Sequence, residues 1–284
     1  MGACGCTHVV YMAECVPCKH CLSLQHRLHM HRDTSQQGSL AIITHTQVTT
    51  KVHPRDLGFN ATLASVEQSL QRLGRQQLHL VLLHYPRCWQ ELCGAQHVPQ
   101  GDWHDSWRAV ETLIQQGRVL AAGVSNFELH ELVELWEGAT IKPSVVQRFA
   151  DPLHTDEAVR RWCVLVGVQY QAYSSLGMAT AGVVLVHGSF LFTACVCTGT
   201  QEMMAGKAVN PVLSHHVIQH IADARGWTAV QVVLRWALQT GQAVLPRSSN
   251  PGHMADNLHV LQLTPLSETE LAALDALGRP QARQ

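Results

Sequence analysis

Eight polar residues stand at or just beyond the ends of short apolar runs in this chain: Lys51, His84, Ser125, Asn126, Gln147, Tyr173, Arg247 and Ser248. They supply an ammonium, an imidazole, hydroxyls, amides, a phenol and a guanidinium. Together these groups can ionise, donate and accept hydrogen bonds, and stack on a ring. Each alone has a plain explanation. A lysine at a strand end is commonly solvated, and His-Tyr-Pro after a strand is commonly a turn. Their joint placement is the signal, because α/β folds bind ligands at the carboxyl ends of their strands.

A second group is the cysteines of the first forty residues, in CGC and CVPCKHC. Thiolates two residues apart can share a metal. No second C-x2-C or H-x3-5-H pair follows at finger spacing, so no metal site is expected.

The elements that would carry the eight residues follow from periodicity. Apolar runs at 46–50, 78–83, 119–124, 144–147, 168–172 and 243–245 read as strands, the first ending at Lys51. Amphipathic helices follow them. One runs from Asn60, a candidate N-cap, to Gly74, and another from Trp103 to Gly117. Others cover 128–138, 155–166, 213–224 and 229–240, the last capped by Thr228, and two more lie near 253–260 and 267–277. No G-x-G-x-x-G is present. Repeated strand–helix units without that loop favour a (β/α)8 TIM barrel, incomplete or irregular at its N-terminal units. Residues 1–39 form a divergent Cys- and His-rich leader, and 40–284 form the barrel, with an atypical insert at 179–209. Within that insert, 181–197 is mostly apolar but short for a membrane span.

The chain has 284 residues, 46% hydrophobic and 14% charged, with a net charge of −1. A large core is therefore easy to form, and no basic field points to nucleic acid. A domain of this size does not need its ten cysteines as a disulfide framework, and a reducing cytoplasm is the default.

The phrases TTKVHPRDLG, SLQRLGRQQLHLVLLHYP, GVSNF, QAYSSLG and VQVVLRWALQTGQAVLPRSSN give the chain, from about 46 to 275, a resemblance to the aldo-keto reductases. The resemblance implies an NADP-dependent oxidoreductase, active as a monomer, that passes hydride between NADPH and a small aldehyde or ketone. Neither nucleic acid nor membrane is expected as a partner. By position, Lys51 matches the lysine that lowers the pKa of a catalytic tyrosine. His84 matches the histidine that orients the substrate carbonyl and can help donate a proton. Ser125, Asn126 and Gln147 match the residues that hold the nicotinamide carboxamide, and Tyr173 matches the ring that stacks on the nicotinamide. Ser174 and Leu176 match positions along the pyrophosphate. Arg247 and Ser248 match the pair that meets the 2′-phosphate, with arginine in place of the usual lysine. His253 stands where an arginine often stacks on adenine, and Asp256 and Asn257 match residues near the adenine.

One departure bears on activity. The family carries a catalytic aspartate and tyrosine before the lysine. In residues 1–45 the single tyrosine is Tyr11, and no aspartate precedes it. A positioned acid is worth roughly 10²–10⁴-fold in rate. A catalytically inactive cofactor-binding scaffold is therefore the alternative.

Overall fold

The computed structural model describes residues 11–12, 47–177, 184–186, 189–191 and 209–278. The chain divides into two compact units, Met1–Ser125 with His130–Ser144, and Asn126–Leu129 with Val145–Gln284.

In the first unit β1 (Tyr11–Met12), β2 (Val48–Val52), β3 (Leu78–Leu83) and β4 (Val119–Ser125) pair in parallel, in that order. The register sets Thr49 against Leu80 and Leu78 against Val119. The runs of β2, β3 and β4 are mostly buried, as parallel strands under helices must be, with Leu120 of β4 exposed. The leader lies outside the described residues apart from Tyr11–Met12, which extend the parallel pairing beyond β2.

Helix α1 (Phe59–Leu73) buries Thr62, Val66 and Leu70, spaced four apart along one face. Asn60, the expected N-cap, lies inside its first turn; the cap is Gly58, at φ +109°. Only glycine adopts that angle cheaply, and the Gly58 N–H donates to Ser106 Oγ at 2.8 Å. Gly74 ends the helix in the left-handed conformation, as anticipated. After β3 comes α2 (Gln90–Cys93), tied back by a disulfide between Cys88 and Cys93, whose Cα atoms are 5.9 Å apart. One such bond is not the framework that ten cysteines could have formed. The bond closes a small loop rather than bracing the core.

Helix α3 (Trp103–Gln115) starts in a capping box made by Asp102 and Asp105 and buries Trp103, Trp107, Val110 and Leu113. Trp107 Nε1 donates to the Ile141 carbonyl at 3.2 Å, past the end of α4 (Leu129–Gly138). Buried Glu131 of α4 is held by Arg87.

The second unit pairs β5 (Val145–Phe149), β6 (Gln169–Tyr173) and β9 (Ala243–Val244) in parallel. Between β6 and β9 lie β7 (Val184–Val186) and β8 (Ser189–Leu191), an antiparallel pair within the 179–209 insert, most of which is outside the described residues. Helices α5 (Glu157–Val166), α6 (His216–Arg225), α7 (Ala229–Gln239), α8 (Pro251–His259) and α9 (Glu268–Asp275) complete the unit. Thr228 caps α7 through a capping box with Gln231, as its sequence implies. The expected 213–224 helix starts later, because the side chain of His215 caps it and residues 211–214 form a turn. The unit's core gathers Val212, Ile218, Val232, Val233, Trp236 and Leu274, with Trp236 Nε1 donating to Asp275 at 2.8 Å.

The parallel strand–helix alternation is that of a (β/α)8 barrel, with six strand–helix units among the described residues. No helix among those residues is long and apolar enough to cross a membrane.

Candidate functional site

The first unit holds Lys51, His84 and Ser125. Lys51 lies within β2, which continues to Val52, one residue past the expected strand end. His84 follows β3 directly, and its N–H donates to the Val52 carbonyl at 3.0 Å. This bond and the register of Lys51 against Leu82 put lysine and histidine on neighbouring strands at one end. The His84 ring packs 4.7 Å from Tyr85 and 6.3 Å, edge-on, from His53. Burial, with Lys51 and His53 nearby, pushes its pKa down to about 3. His84 is therefore a neutral imidazole at pH 7. It can donate one N–H to an oxygen, but it is not a reservoir of imidazolium protons. Tyr85 in turn meets Trp89 edge-on at 5.0 Å. Ser125 is the last residue of β4 and is fully buried.

In the second unit Asn126 adopts φ +60°, a left-handed angle that asparagine tolerates better than most residues. Its N–H donates to the Gln147 carbonyl at 3.1 Å. Its side-chain Oδ1 accepts from the Tyr173 hydroxyl at 2.7 Å. Gln147, on β5, is fully buried and donates from Nε2 to Gln171 Oε1 at 2.6 Å. Three of the expected nicotinamide-end residues are thus linked by hydrogen bonds. Phe149 sits 6.1 Å from the half-buried Tyr173 ring.

Ser174 is also left-handed, at φ +51°, and its carbonyl accepts the Gly177 N–H. The Leu176 carbonyl accepts from Asn210 Nδ2 at 2.8 Å, and its side chain packs on the unit's core. The residues expected at the adenine end lie just before and along α8. There Asn250, which the sequence reading passed over, caps the helix by accepting from the Gly252 and His253 N–H groups. Ser248 Oγ accepts the Asn250 N–H at 3.1 Å. Arg247, His253 and Asp256 are exposed, Ser248 and Asn257 half-buried, and α8 buries no residue. An exposed helix start with an adjacent guanidinium suits an anionic group. The expected nicotinamide end offers the buried Gln147 amide with the half-buried Asn126 amide and Tyr173 phenol, which suits a carboxamide that both donates and accepts. The donor set fits a nicotinamide dinucleotide.

Three further side chains, without a strand-end position to mark them, form a cluster: Arg148, Asp156 and Tyr170. Arg148 Nε donates to Asp156 Oδ2 at 2.7 Å, and the Tyr170 hydroxyl donates to the same oxygen at 2.8 Å. An arginine within the apolar strand VVQRF was the available signal. Burial pushes the Asp156 carboxyl above its ordinary range, against the pull of Arg148 and Tyr170. A cavity of about 550 Å³ in the same unit lies away from Tyr173. Gly167–Tyr170 and Thr240–Gln242 line it, at the amino ends of β6 and β9, opposite Tyr173. In barrels that end serves stability. No cluster of three potential metal ligands occurs among the described residues.

A sequence model described as the Aldo/keto reductase family matches residues 42–279. A glyoxal reductase of Bacillus subtilis is 31% identical over 234 residues, 82% of this chain and 69% of that one. A 9,11-endoperoxide prostaglandin H2 reductase of Trypanosoma cruzi is 31% identical over 231 residues, 81% and 67% of the two chains. Among solved structures, Gox0644 in its apo form is 27% identical with a TM-score of 0.63, and a Gox0644 variant in complex with NADPH reaches 0.65. Each covers 87% of this chain and 75% of the other. A motif order that runs the length of both units, a matched family model and relatives of this similarity agree: the chain belongs to the aldo/keto reductase family.

Proposed function

We propose that the chain is an NADPH-dependent oxidoreductase acting on a small aldehyde or ketone, as a cytoplasmic monomer. The observation that carries this reading is the hydrogen-bonded set of Asn126, Gln147 and Tyr173. When bound, the reduced nicotinamide supplies hydride. Ser125, Asn126 and Gln147 hold its carboxamide, and Tyr173 covers one ring face. Ser174 and Leu176 line the pyrophosphate. Arg247 and Ser248 take the 2′-phosphate, while His253, Asp256 and Asn257 meet the adenine. Among the chain's own groups at the reacting end, the neutral His84 orients the carbonyl oxygen by donating an N–H, and Lys51 adds positive charge nearby.

A second reading has its own support. His84 is neutral at pH 7, and the hydroxyls of Tyr170 and Tyr173 are engaged with Asp156 and Asn126. The chain would then bind the dinucleotide without turning it over. One experiment separates the two: titrate purified protein with NADPH by tryptophan fluorescence, then follow NADPH absorbance over a panel of aldehydes and ketones. Saturable quenching with carbonyl-dependent oxidation supports the reductase. Quenching without oxidation supports the scaffold. No quenching defeats both.

A further inference from the structure

We infer that Arg148 is a positioning residue that holds the Asn126–Glu128 turn in the shape needed to grip the nicotinamide end of the cofactor. This rests on the reading given under Proposed function. The turn carries a non-glycine residue at positive φ, Asn126 at +60°, followed by the fully buried Phe127. Such backbone persists where its surroundings over-determine it. On one side the Gln147 carbonyl and the Tyr173 hydroxyl hold Asn126. On the other, Arg148 Nη1 donates to the Phe127 carbonyl and approaches Glu128 Oε1 at 3.4 Å.

Arg148 is itself fixed. Its Nε donates to Asp156 Oδ2 at 2.7 Å, and the same oxygen accepts from Tyr170, which is 4% exposed. Asp156 stands at the N-cap of α5, where an aspartate ordinarily accepts from the helix's first N–H groups. Here it makes no such bond and sits at φ +48°. Its carboxylate is committed to Arg148 and Tyr170 instead. A planar guanidinium can bridge a carboxylate and a backbone carbonyl in one rigid fork, which an ammonium cannot reproduce. The chain Tyr170–Asp156–Arg148–Phe127 thus ties a buried strand and a helix start to the residue beside Asn126.

The test uses Arg148→Gln, with Arg148→Lys as the milder variant, and two measurements. The first is amide hydrogen exchange in the cofactor-free protein. Exchange across 126–129 should quicken about tenfold in Arg148→Gln while Ala229–Gln239, in the core of the same unit, keeps its protection. The second is fluorescence titration with NADPH and with 2′-phospho-ADP-ribose, which lacks the nicotinamide. NADPH affinity should fall about tenfold and the fragment's less than about twofold, with Arg148→Lys intermediate. Unchanged exchange at 126–129, or equal loss for both ligands, overturns the inference. If Arg148→Gln also deprotects Ala229–Gln239, the same criteria are applied to Arg148→Lys. If the wild type binds neither ligand, the NADPH reading has failed and the inference with it. Binding of both ligands by the wild type with equal loss in the variant defeats the inference alone.

Discussion

Acidification should destabilise this protein through His84 in particular. The ring's ordinary pKa is 6.5, and burial beside Lys51 and His53 lowers it to about 3 in the folded chain. Because the folded value is depressed, the unfolded chain binds the proton more readily, and stability falls as pH falls. The contribution is intact above pH 6.5 and is lost progressively as pH drops through about 3. At pH 5 one such group costs about 2 kcal/mol relative to pH 7. The ring edge left open to solvent trims that toward about 1 kcal/mol. His53 is shifted the same way by burial, so total acid sensitivity is not the right readout. The assay is urea unfolding of the wild type and His84→Gln at pH 7 and pH 5. The wild type should lose about 1–2 kcal/mol more than the variant between the two. Equal losses, or an imidazole NMR titration for His84 with a midpoint above 5, would refute the reasoning.

Three further outcomes follow from packing and pairing. Gly58→Ala should cost about 2 kcal/mol or more in urea unfolding, since a Cβ there would stand 2.7 Å from the Gly101 nitrogen on backbone at φ +109°; a loss below about 0.5 kcal/mol counts against it. Trp236→Phe should cost about 2 kcal/mol, from a fully buried site that also loses the bond to Asp275, and Asp275→Asn, which keeps an acceptor, should cost less. Glu270 is held at about 2 chiefly by its hydrogen bonds to Arg225, so the stability it lends is present above 4.5 and lost as pH falls through about 2. Glu270→Gln should cost about 0.5–1 kcal/mol at pH 7, less in high salt, because the pair is partly solvated; a loss unchanged by salt would rule out the ionic origin.

The strands were legible in the sequence because each is a short apolar run closed by polar residues, and all six are observed within two residues of their expected bounds. Helix ends set by local chemistry were equally plain, as at Thr228 and Gly74. A start that depends on a distant partner leaves no local signal. Gly58 displaces Asn60 as the cap of α1 because its N–H is held by Ser106, far along the chain. The residues expected at the nicotinamide end stand out by their position at strand ends. Their mutual bonds could not be read, since Tyr173 and Asn126 meet only through folding. Arg148 stood out only as an arginine in an apolar strand; its role appears when Asp156, Tyr170 and Phe127 arrive around it. The Cys88–Cys93 bond lay hidden among ten cysteines, half of them in a leader with no sustained pattern.

The pairing of β6 with β9 has a kinetic consequence. Val145 meets Gln169 across roughly 24 residues, whereas Gln171 meets Ala243 across roughly 70. Closing the longer loop costs about 1 kcal/mol more in chain entropy. In return it secures the two half-buried residues of β9. The residues that follow β9 lead straight to Arg247, Ser248 and the start of α8. During refolding this last strand should dock late, after β5 and β6 have joined. The start of α8 would then mature after the hydrogen-bonded set of Asn126, Gln147 and Tyr173.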